Sequence, residues 1–333
     1  MKTLVIGHND VSKFLKLNEC IDVMEQTFKT LARGGALQPQ RLAMRLPNKK
    51  GVLGLMPAYL DSPGAVGSKI VTVFSGNLNT PYESHQGAVL LFELNNGKLL
   101  AIIDASSITA IRTAAVSAVA TRLLAREDAT DLAVLGSGTQ ATMHLRALSI
   151  VRPIKRVRVW SRNIDHAKRF ADRESSIRNL PVEPVASAQE AVAASDIVCT
   201  TTGATSPILM GKWLEPGMHV NAVGASIPPF RELDSEAVKK GRLFVDRRDS
   251  AMNEAEDFLA PRREGIIDDG HIRGELGDLL LGKSQGRLAG DEITIFKSVG
   301  LAVEDLAAAQ YIYSKAETSN DGTWVEFSPE RAS

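Results

Sequence analysis

The stretch Asp131-Leu-Ala-Val-Leu-Gly-Ser-Gly-Thr-Gln-Ala-Thr-Met-His144 decides how this chain is read. An apolar run, Leu132 to Leu135, stops abruptly at Gly136-Ser137-Gly138, and a helix-compatible segment, Thr139 to Ser149, follows. The pattern is strand, tight turn, helix. Gly136 permits the turn and Gly138 lets the backbone approach a ligand. Ala141 takes the place of the third small residue, where helix packs on strand. The first turn of that helix, with Thr139 and Gln140, offers N–H groups and a positive dipole end, which suit a pyrophosphate. A G-x-G-x-x-A spacing also occurs in ordinary turns. The strand before it and the alternation after it favour a dinucleotide.

That alternation runs on to about residue 296. Strand candidates at 131–135, 156–160, 182–185, 196–201, 218–223, 242–246 and 292–296 are separated by helix candidates such as 164–174, 187–194 and 234–240. The pattern predicts an α/β fold with a doubly wound parallel sheet of the Rossmann type. Ligands on such sheets lie beyond the carboxyl ends of the strands. The candidate cofactor contacts are therefore Gly136-Ser137-Gly138, Ser161-Arg162, Thr201-Thr202, Val223-Gly224 and Ser298-Val299-Gly300. NAD-binding chains usually carry an acid about 20 residues past the glycines, bonded to the ribose 2′-hydroxyl. The matching stretch, Val159-Trp160-Ser161-Arg162-Asn163, has none. Ser161 and Arg162 can hold a 2′-phosphate, so NADP(H) is expected to be preferred, with NAD(H) possible. The alternative leaves Arg162 merely exposed and gives the ribose to Asp165.

Residues 1 to about 105 read differently, as a mixed domain dominated by antiparallel strands. A strand at Thr3–Ile6 and a helix apolar at Leu15, Ile21, Met24 and Phe28 lead to strands at 40–46, 54–59 and 67–74. A hairpin, 88–94 with 98–103, turns at Asn95-Asn96-Gly97. Arg41 and Arg45 are four apart, so on a strand both face one way: a solvated face, or a carboxylate site. Alternation puts Lys69 with Val71 and Val73. It is either a strand-end lysine reaching water or a buried one, whose lowered pKa would let it exchange a proton near neutrality. Ser106-Ser107 can cap a helix running to Arg126. On that helix Arg112 falls in the stripe of Ile108, Ala115, Val116 and Val119, either snorkelling at its edge or binding an anion. A final helix, Gly300–Ala316, precedes a polar tail.

Composition narrows the class. The 333 residues are 44% hydrophobic and 23% charged, with 39 Lys+Arg balancing 39 Asp+Glu. No basic excess points to nucleic acid or an anionic membrane surface. The two cysteines, Cys20 and Cys199, lack ligand-like spacing, and no metal is expected. No signal peptide or membrane-spanning run is read, so the expected setting is cytoplasmic.

Eight ordered motifs resemble the ornithine cyclodeaminase/mu-crystallin family: Leu55-Met-Pro-Ala58, Gly67-Ser-Lys-Ile70, His85-Gln-Gly87, Thr109-Ala-Ile-Arg-Thr-Ala114, Gly136-Ser-Gly-Thr-Gln-Ala141, Val220-Asn-Ala-Val-Gly224, Arg231-Glu-Leu-Asp234 and Phe296-Lys-Ser-Val-Gly300. The resemblance implies an α+β substrate-binding and dimerisation domain, 1–118 with 306–333, and a Rossmann domain, 119–305. It implies that Arg45, Lys69 and Arg112 surround the substrate's carboxylate and imine, that Thr113 joins the dinucleotide contacts, and that the subunit is a homodimer. His85 is a weaker candidate proton relay. One departure stands out. Cyclodeaminases of the family carry an aspartate in a Gly-Gly-Asp or Gly-Ala-Asp turn, and here the turn is Gly224-Ala225-Ser226. Ser226 cannot replace a carboxylate as proton acceptor, though it can hydrogen-bond substrate or water. The resemblance therefore leans to the ketimine reductase branch: NAD(P)H-dependent reduction of an imine next to a carboxylate, cyclic or formed from a 2-oxo acid, giving an L-amino acid. The alternatives are an amino-acid dehydrogenase, an ornithine cyclodeaminase, or a non-catalytic small-ligand-binding protein of the mu-crystallin type.

Overall fold

A computed structural model describes residues 2–77 and 80–327 of the chain. Residues 1, 78, 79 and 328–333, all within the expected first domain, lie outside the described residues. The chain divides into two compact units, Met1–Arg112 with Leu301–Ser333, and Thr113–Gly300. Both boundaries fall a few residues before the expected 118/119 and 305/306. The helix Ala105–Leu124 gives its start to the first unit and the rest to the second.

In the first unit β1 (Lys2–Ile6), β2 (Ala36–Leu37), β3 (Leu42–Arg45), β4 (Val52–Leu60), β5 (Ala65–Val73), β6 (His85–Phe92) and β7 (Leu99–Asp104) make one sheet with the C-terminal strand Thr323–Glu326. The order is C-terminal strand, β1, β7, β6, β5, β4, β2, with β3 also on β4. Strands β4 to β7 are antiparallel neighbours, and β1 lies parallel to β7. The Asn95-Asn96-Gly97 turn joins β6 to β7, with Gly97 at φ +74°, where a side chain would be strained. Helices Leu17–Ala32 and Ala302–Ser319 pack together, and the latter crosses β4 to β7. Their apolar stripes are buried at Ile21, Met24, Phe28, Leu306 and Ile312, all at most 2% exposed. Gly67 is where the backbone needs to be bare: a Cβ there would stand 2.2 Å from the Leu90 carbonyl and 2.9 Å from Leu306.

The second unit is an all-parallel sheet of β8 (Asp131–Leu135), β9 (Arg156–Trp160), β10 (Val182–Pro184), β11 (Ile197–Thr200), β12 (His219–Ala222), β13 (Arg242–Val245), β14 (Ile272–Glu275) and β15 (Thr294–Lys297). Its order is β10-β9-β8-β11-β12-β15-β13-β14. The expected doubly wound sheet is present. The chain leaves β8 toward β9 and β10, then returns to β11 on β8's other side. This reversal creates the switch point at which such sheets bind ligands. β14 had no expected counterpart. The long helix also starts one residue before the Ser106-Ser107 cap, at Ala105, and its cap comes from Asp104, whose Oδ1 accepts the Ser107 N–H at 2.7 Å.

Gly67→Ala is expected to destabilise the protein by about 1–3 kcal/mol, the usual penalty for overpacking. The shift of the urea midpoint measures it, and an unchanged midpoint would show that β5, β6 and the C-terminal helix can part at no cost.

Candidate functional site

The first unit buries four charges together. Alternation along β5 turns Ala65, Gly67 and Lys69 to the helix-covered face, and Lys69 and Arg112 are each 4% exposed. The carboxylates facing them, Glu304 and Asp305, are fully buried near the start of helix Ala302–Ser319. Lys69 Nζ lies 2.6 Å from Asp305 Oδ2 and donates to Thr109 Oγ1 at 3.4 Å. Arg112 Nε donates to Asp305 Oδ1 at 3.0 Å, and its Nη1 pairs with Glu304. Glu304 also accepts the Leu301 N–H at 3.0 Å, closing the helix start on itself.

Burial pushes the Lys69 ammonium down to about 8, because desolvation outweighs the support of Asp305. Arg112 goes the other way: burial opposes its charge, and Asp305 and Glu304 more than offset that. Burial likewise opposes ionisation of Asp305, and Arg112 with Lys69 holds its carboxyl below the ordinary value. His85 begins β6, with its Nδ1 2.9 Å from Ser84 Oγ. The residue keeps an exposed edge, yet protein packed on its ring, then the charges of Lys69 and Arg112, lowers its pKa.

The arginine pair resolves differently from the strand-based reading. β3 begins at Leu42, so Arg41 lies in the preceding loop and shares no strand face with Arg45. Arg45 is exposed at the end of β3. Arg41, half-buried, is the one whose charge bears on Lys69.

In the second unit the nominated residues line the carboxyl edge of the sheet. Gly136 adopts φ +124°, and a Cβ on it would lie 2.6 Å from Thr201 Oγ1. The Gly136 N–H reaches the Trp160 carbonyl at 2.8 Å, and Ser137 Oγ donates to Ser161 Oγ at 3.1 Å. Helix Thr139–Val151 starts at Gly138 without a side-chain cap, and a Cβ on Gly138 would meet nothing within 4 Å. An uncapped helix start behind an open glycine fits a dinucleotide pyrophosphate. Ala141 is fully buried against the sheet, as its position predicts. Arg162 is exposed after β9; Asp165, also exposed, lies in the next helix, whose start Asn163 caps. Thr113 is 7% exposed, and Ser226 is half-buried beyond Gly224.

Three buried acids hold this edge in shape, and none was nominated from sequence. Glu232 accepts from Thr202 N at 2.6 Å, Thr202 Oγ1 at 2.8 Å, Thr200 Oγ1 at 2.7 Å and Gly224 N at 2.7 Å. Burial raises its pKa. Gly224 has no room for a side chain: a Cβ would stand 2.1 Å from the Thr202 carbonyl. Asp246 accepts the N–H groups of Val299 at 2.6 Å and Gly300 at 2.8 Å. Asp257 takes the Glu232 and Leu233 N–H groups on Oδ1 and the Lys297 ammonium, at 2.8 Å, on Oδ2. Glu304 and Asp305 were missed too. Their signal was available, since two adjacent acids interrupt the stripe of Leu301, Val303, Leu306 and Ala309.

A parallel sheet with a glycine turn at its switch point, in a chain whose other unit is built around a buried lysine, defines a dinucleotide-binding oxidoreductase class. Residues 1–320 match the model of the ornithine cyclodeaminase/mu-crystallin family, and the chain belongs to that family. It is 42% identical over 280 residues to the ketimine reductase mu-crystallin of Mus musculus, covering 84% of this chain and 85% of that one. The structure of Thermococcus litoralis Delta(1)-pyrroline-2-carboxylate reductase in complex with NADH and L-proline superposes with a TM-score of 0.94 at 37% identity, over 96% of this chain and 99% of that one. An archaeal alanine dehydrogenase dimer with bound NAD gives a TM-score of 0.92 at 32% identity, over 98% and 100% of the two chains.

Glu232→Gln turns one acceptor oxygen into an N–H₂ that faces the Thr200, Thr202 and Gly224 donors. A loss of about 1–3 kcal/mol is expected, the penalty of an unsatisfied buried group. Thermal unfolding with and without dinucleotide measures it, and a variant as stable as the parent would show that the carboxylate does not hold the edge.

Proposed function

We propose that this protein is a nicotinamide-dinucleotide-dependent reductase of C=N bonds adjacent to a carboxylate, giving an L-amino acid. The observation that carries the reading is Lys69: a buried lysine, lowered to about 8 and held beside Arg112. The similarity to ketimine and pyrroline-2-carboxylate reductases supports it. A group titrating just above neutrality gives up a proton easily while still carrying it at pH 7. Lys69 donates that proton to the imine nitrogen, which makes the adjacent carbon electrophilic. A guanidinium has five N–H donors. Arg112 commits three of them to Asp305 and Glu304. Its remaining donors and Arg41 bind the substrate carboxylate, a role that passes from Arg45 to Arg41 on the grounds of burial and charge. His85 relays protons toward Lys69, and Ser226 hydrogen-bonds substrate or water. Ser226 in place of an aspartate weighs against cyclodeamination, which needs an acid to handle the second amine.

Gly136, Ser137, Gly138, Thr139 and Gln140 hold the pyrophosphate. Thr113, Ala141, Thr201, Thr202, Val223, Gly224, Ser298 and Gly300 complete the dinucleotide site. A reduced nicotinamide bound there supplies the hydride for the imine carbon. Ser161 and Arg162 hold a 2′-phosphate, so the preferred cofactor is NADP(H). Residues 1–118 with 306–333 serve substrate binding and dimerisation, and 119–305 the dinucleotide. The sheet face away from the helices carries Leu42, Met44, Leu53, Leu55, Ile70 and Leu90, with Leu42 57% and Met44 49% exposed. An apolar face of this kind suits a second copy of the chain. The dimer described for the alanine dehydrogenase relative supports that assembly. The setting is the cytoplasm. Among the described residues, no helix is long and apolar enough to cross a membrane.

Oxidative deamination of an amino acid is the second reading, favoured by the likeness to alanine dehydrogenase. It uses the same residues in reverse, with Lys69 as base.

Three measurements test the proposal. Lys69→Met is expected to lower turnover of pyrroline-2-carboxylate, piperideine-2-carboxylate or a pyruvate–amine mixture by at least a thousandfold, with dinucleotide affinity unchanged; parental rates would remove Lys69 from the chemistry. Since the group donates only when protonated, imine reduction should fall as pH rises through about 8 and amine oxidation should rise; a reductive rate flat from pH 7 to 9.5 contradicts the assignment. Arg162→Ala is expected to cut kcat/KM for NADPH at least tenfold and leave NADH within twofold. Equal losses with both cofactors would mean that Arg162 does not read the 2′-phosphate.

A further inference from the structure

Five charged or titratable groups face the Lys69 ammonium, from four parts of the first unit. Asp305 and Glu304 come from helix Ala302–Ser319, Arg112 from helix Ala105–Leu124, Arg41 from the loop before β3, and His85 from β6. Cys20, on helix Leu17–Ala32, packs against the Arg112–Glu304 side, and burial pushes its thiol up, so it stays neutral. Three of the five are cationic or proton-accepting and repel or compete with a lysine cation. Only a carboxylate can hold it, and one is in contact. Asp305 divides its two oxygens, with Oδ2 on Lys69 Nζ at 2.6 Å and Oδ1 on Arg112 Nε at 3.0 Å. The Arg112 bond fixes the plane of the carboxylate and thereby aims Oδ2. Glu304, one residue earlier, fixes Arg112 and the helix start together.

We infer that Asp305 is the positioning residue of the proton donor: its carboxylate bridges Arg112 and Lys69, sets where the Lys69 ammonium stands, and keeps it charged in a buried site. Asp305 touches no substrate atom in this scheme and acts through Lys69. A lysine stem is flexible and its compact charge carries no directional fork, so the bridge supplies the direction. Without it the ammonium would face Arg112 and Arg41 with no carboxylate in contact, since Glu304 is committed to Arg112, and desolvation would act on it with far less opposition. The inference rests on the reductase reading for the role of Lys69, but the hold of Asp305 on that lysine can be measured without any substrate.

The experiment is to titrate Lys69 by NMR in the full-length protein labelled with ε-13C lysine, its signal assigned by loss in Lys69→Met. Asp305→Asn is expected to move the Lys69 midpoint down by at least one pH unit, and to move the alkaline limb of kcat/KM for imine reduction down by the same amount. A midpoint that stays in place in the folded variant overturns the inference. If the Asn variant does not fold, Asp305→Glu tests the geometry instead. It keeps the charge and displaces it by one methylene, so kcat should fall at least tenfold with KM within threefold and the pH limb unmoved. A kcat equal to the parent's would overturn the inference as well. If the parent protein reduces no imine, the reductase reading fails, while the NMR midpoints still decide whether Asp305 sets the state of Lys69.

Discussion

Two cations and two anions, all but closed off from water, set the terms for the first unit. Moving one such ion into a protein interior carries a penalty of several kcal/mol, and no unit of this size survives four uncompensated ones. The contacts of Lys69, Arg112, Glu304 and Asp305 must therefore form together or not at all. That requirement links β5, helix Ala105–Leu124 and the C-terminal helix, three elements far apart in sequence. It also explains why the C-terminal helix returns to the N-terminal sheet. Alanines at 302, 307, 308, 309 and 316, all buried, let that helix lie close to the strands, and closeness is what brings its short aspartate to Lys69.

The second unit meets a different problem by similar means. A ligand-binding edge made of glycine, serine and threonine turns has little apolar surface with which to hold itself together. Buried acids do it instead. Glu232 gathers the ends of β11 and β12, Asp246 gathers the turn after β15, and Asp257 joins the Glu232–Leu233 backbone to Lys297. Charged acceptors on backbone N–H groups are stronger and shorter than neutral ones. A loop held this way keeps its amides in register without a hydrophobic plug, and that leaves the outer side of Gly138 open.

What could be read from the sequence follows the range of the interaction. The parallel sheet was legible because strand and helix periods are local, and β8 and β9 match their expected bounds. The Gly136 turn was legible because φ above zero, with Thr201 pressed against it, demands glycine. Alternation put Lys69 on a face but could not say which face is covered, since that depends on a helix more than 200 residues later. The arginines show a narrower failure. A strand read two residues too early put Arg41 and Arg45 on one face, and the pair cannot be ranked without knowing where β3 begins. The buried acids were invisible for a general reason: an isolated Asp or Glu reads as solvated, and only the partner, distant in sequence, makes burial affordable. The Glu304-Asp305 pair was the exception, because acids inside an apolar helical stripe contradict the solvated reading locally.

The charge balance of the cluster bears on what such a site can bind. Lys69 and Arg112 are matched by Asp305 and Glu304, so the buried group is neutral before any ligand arrives. A pocket lined by two unmatched cations would draw small anions indiscriminately and would drive the lysine pKa far lower, leaving no proton to give at pH 7. Neutrality avoids both. The lysine stays only moderately depressed, near 8, while the Arg41 cation stands where water still partly solvates it. In the proposed reaction, binding and proton donation would then fall to different cations. A substrate carboxylate that met Arg41 and the spare donors of Arg112 would not have to compete for the Lys69 proton, which would stay available to the imine nitrogen.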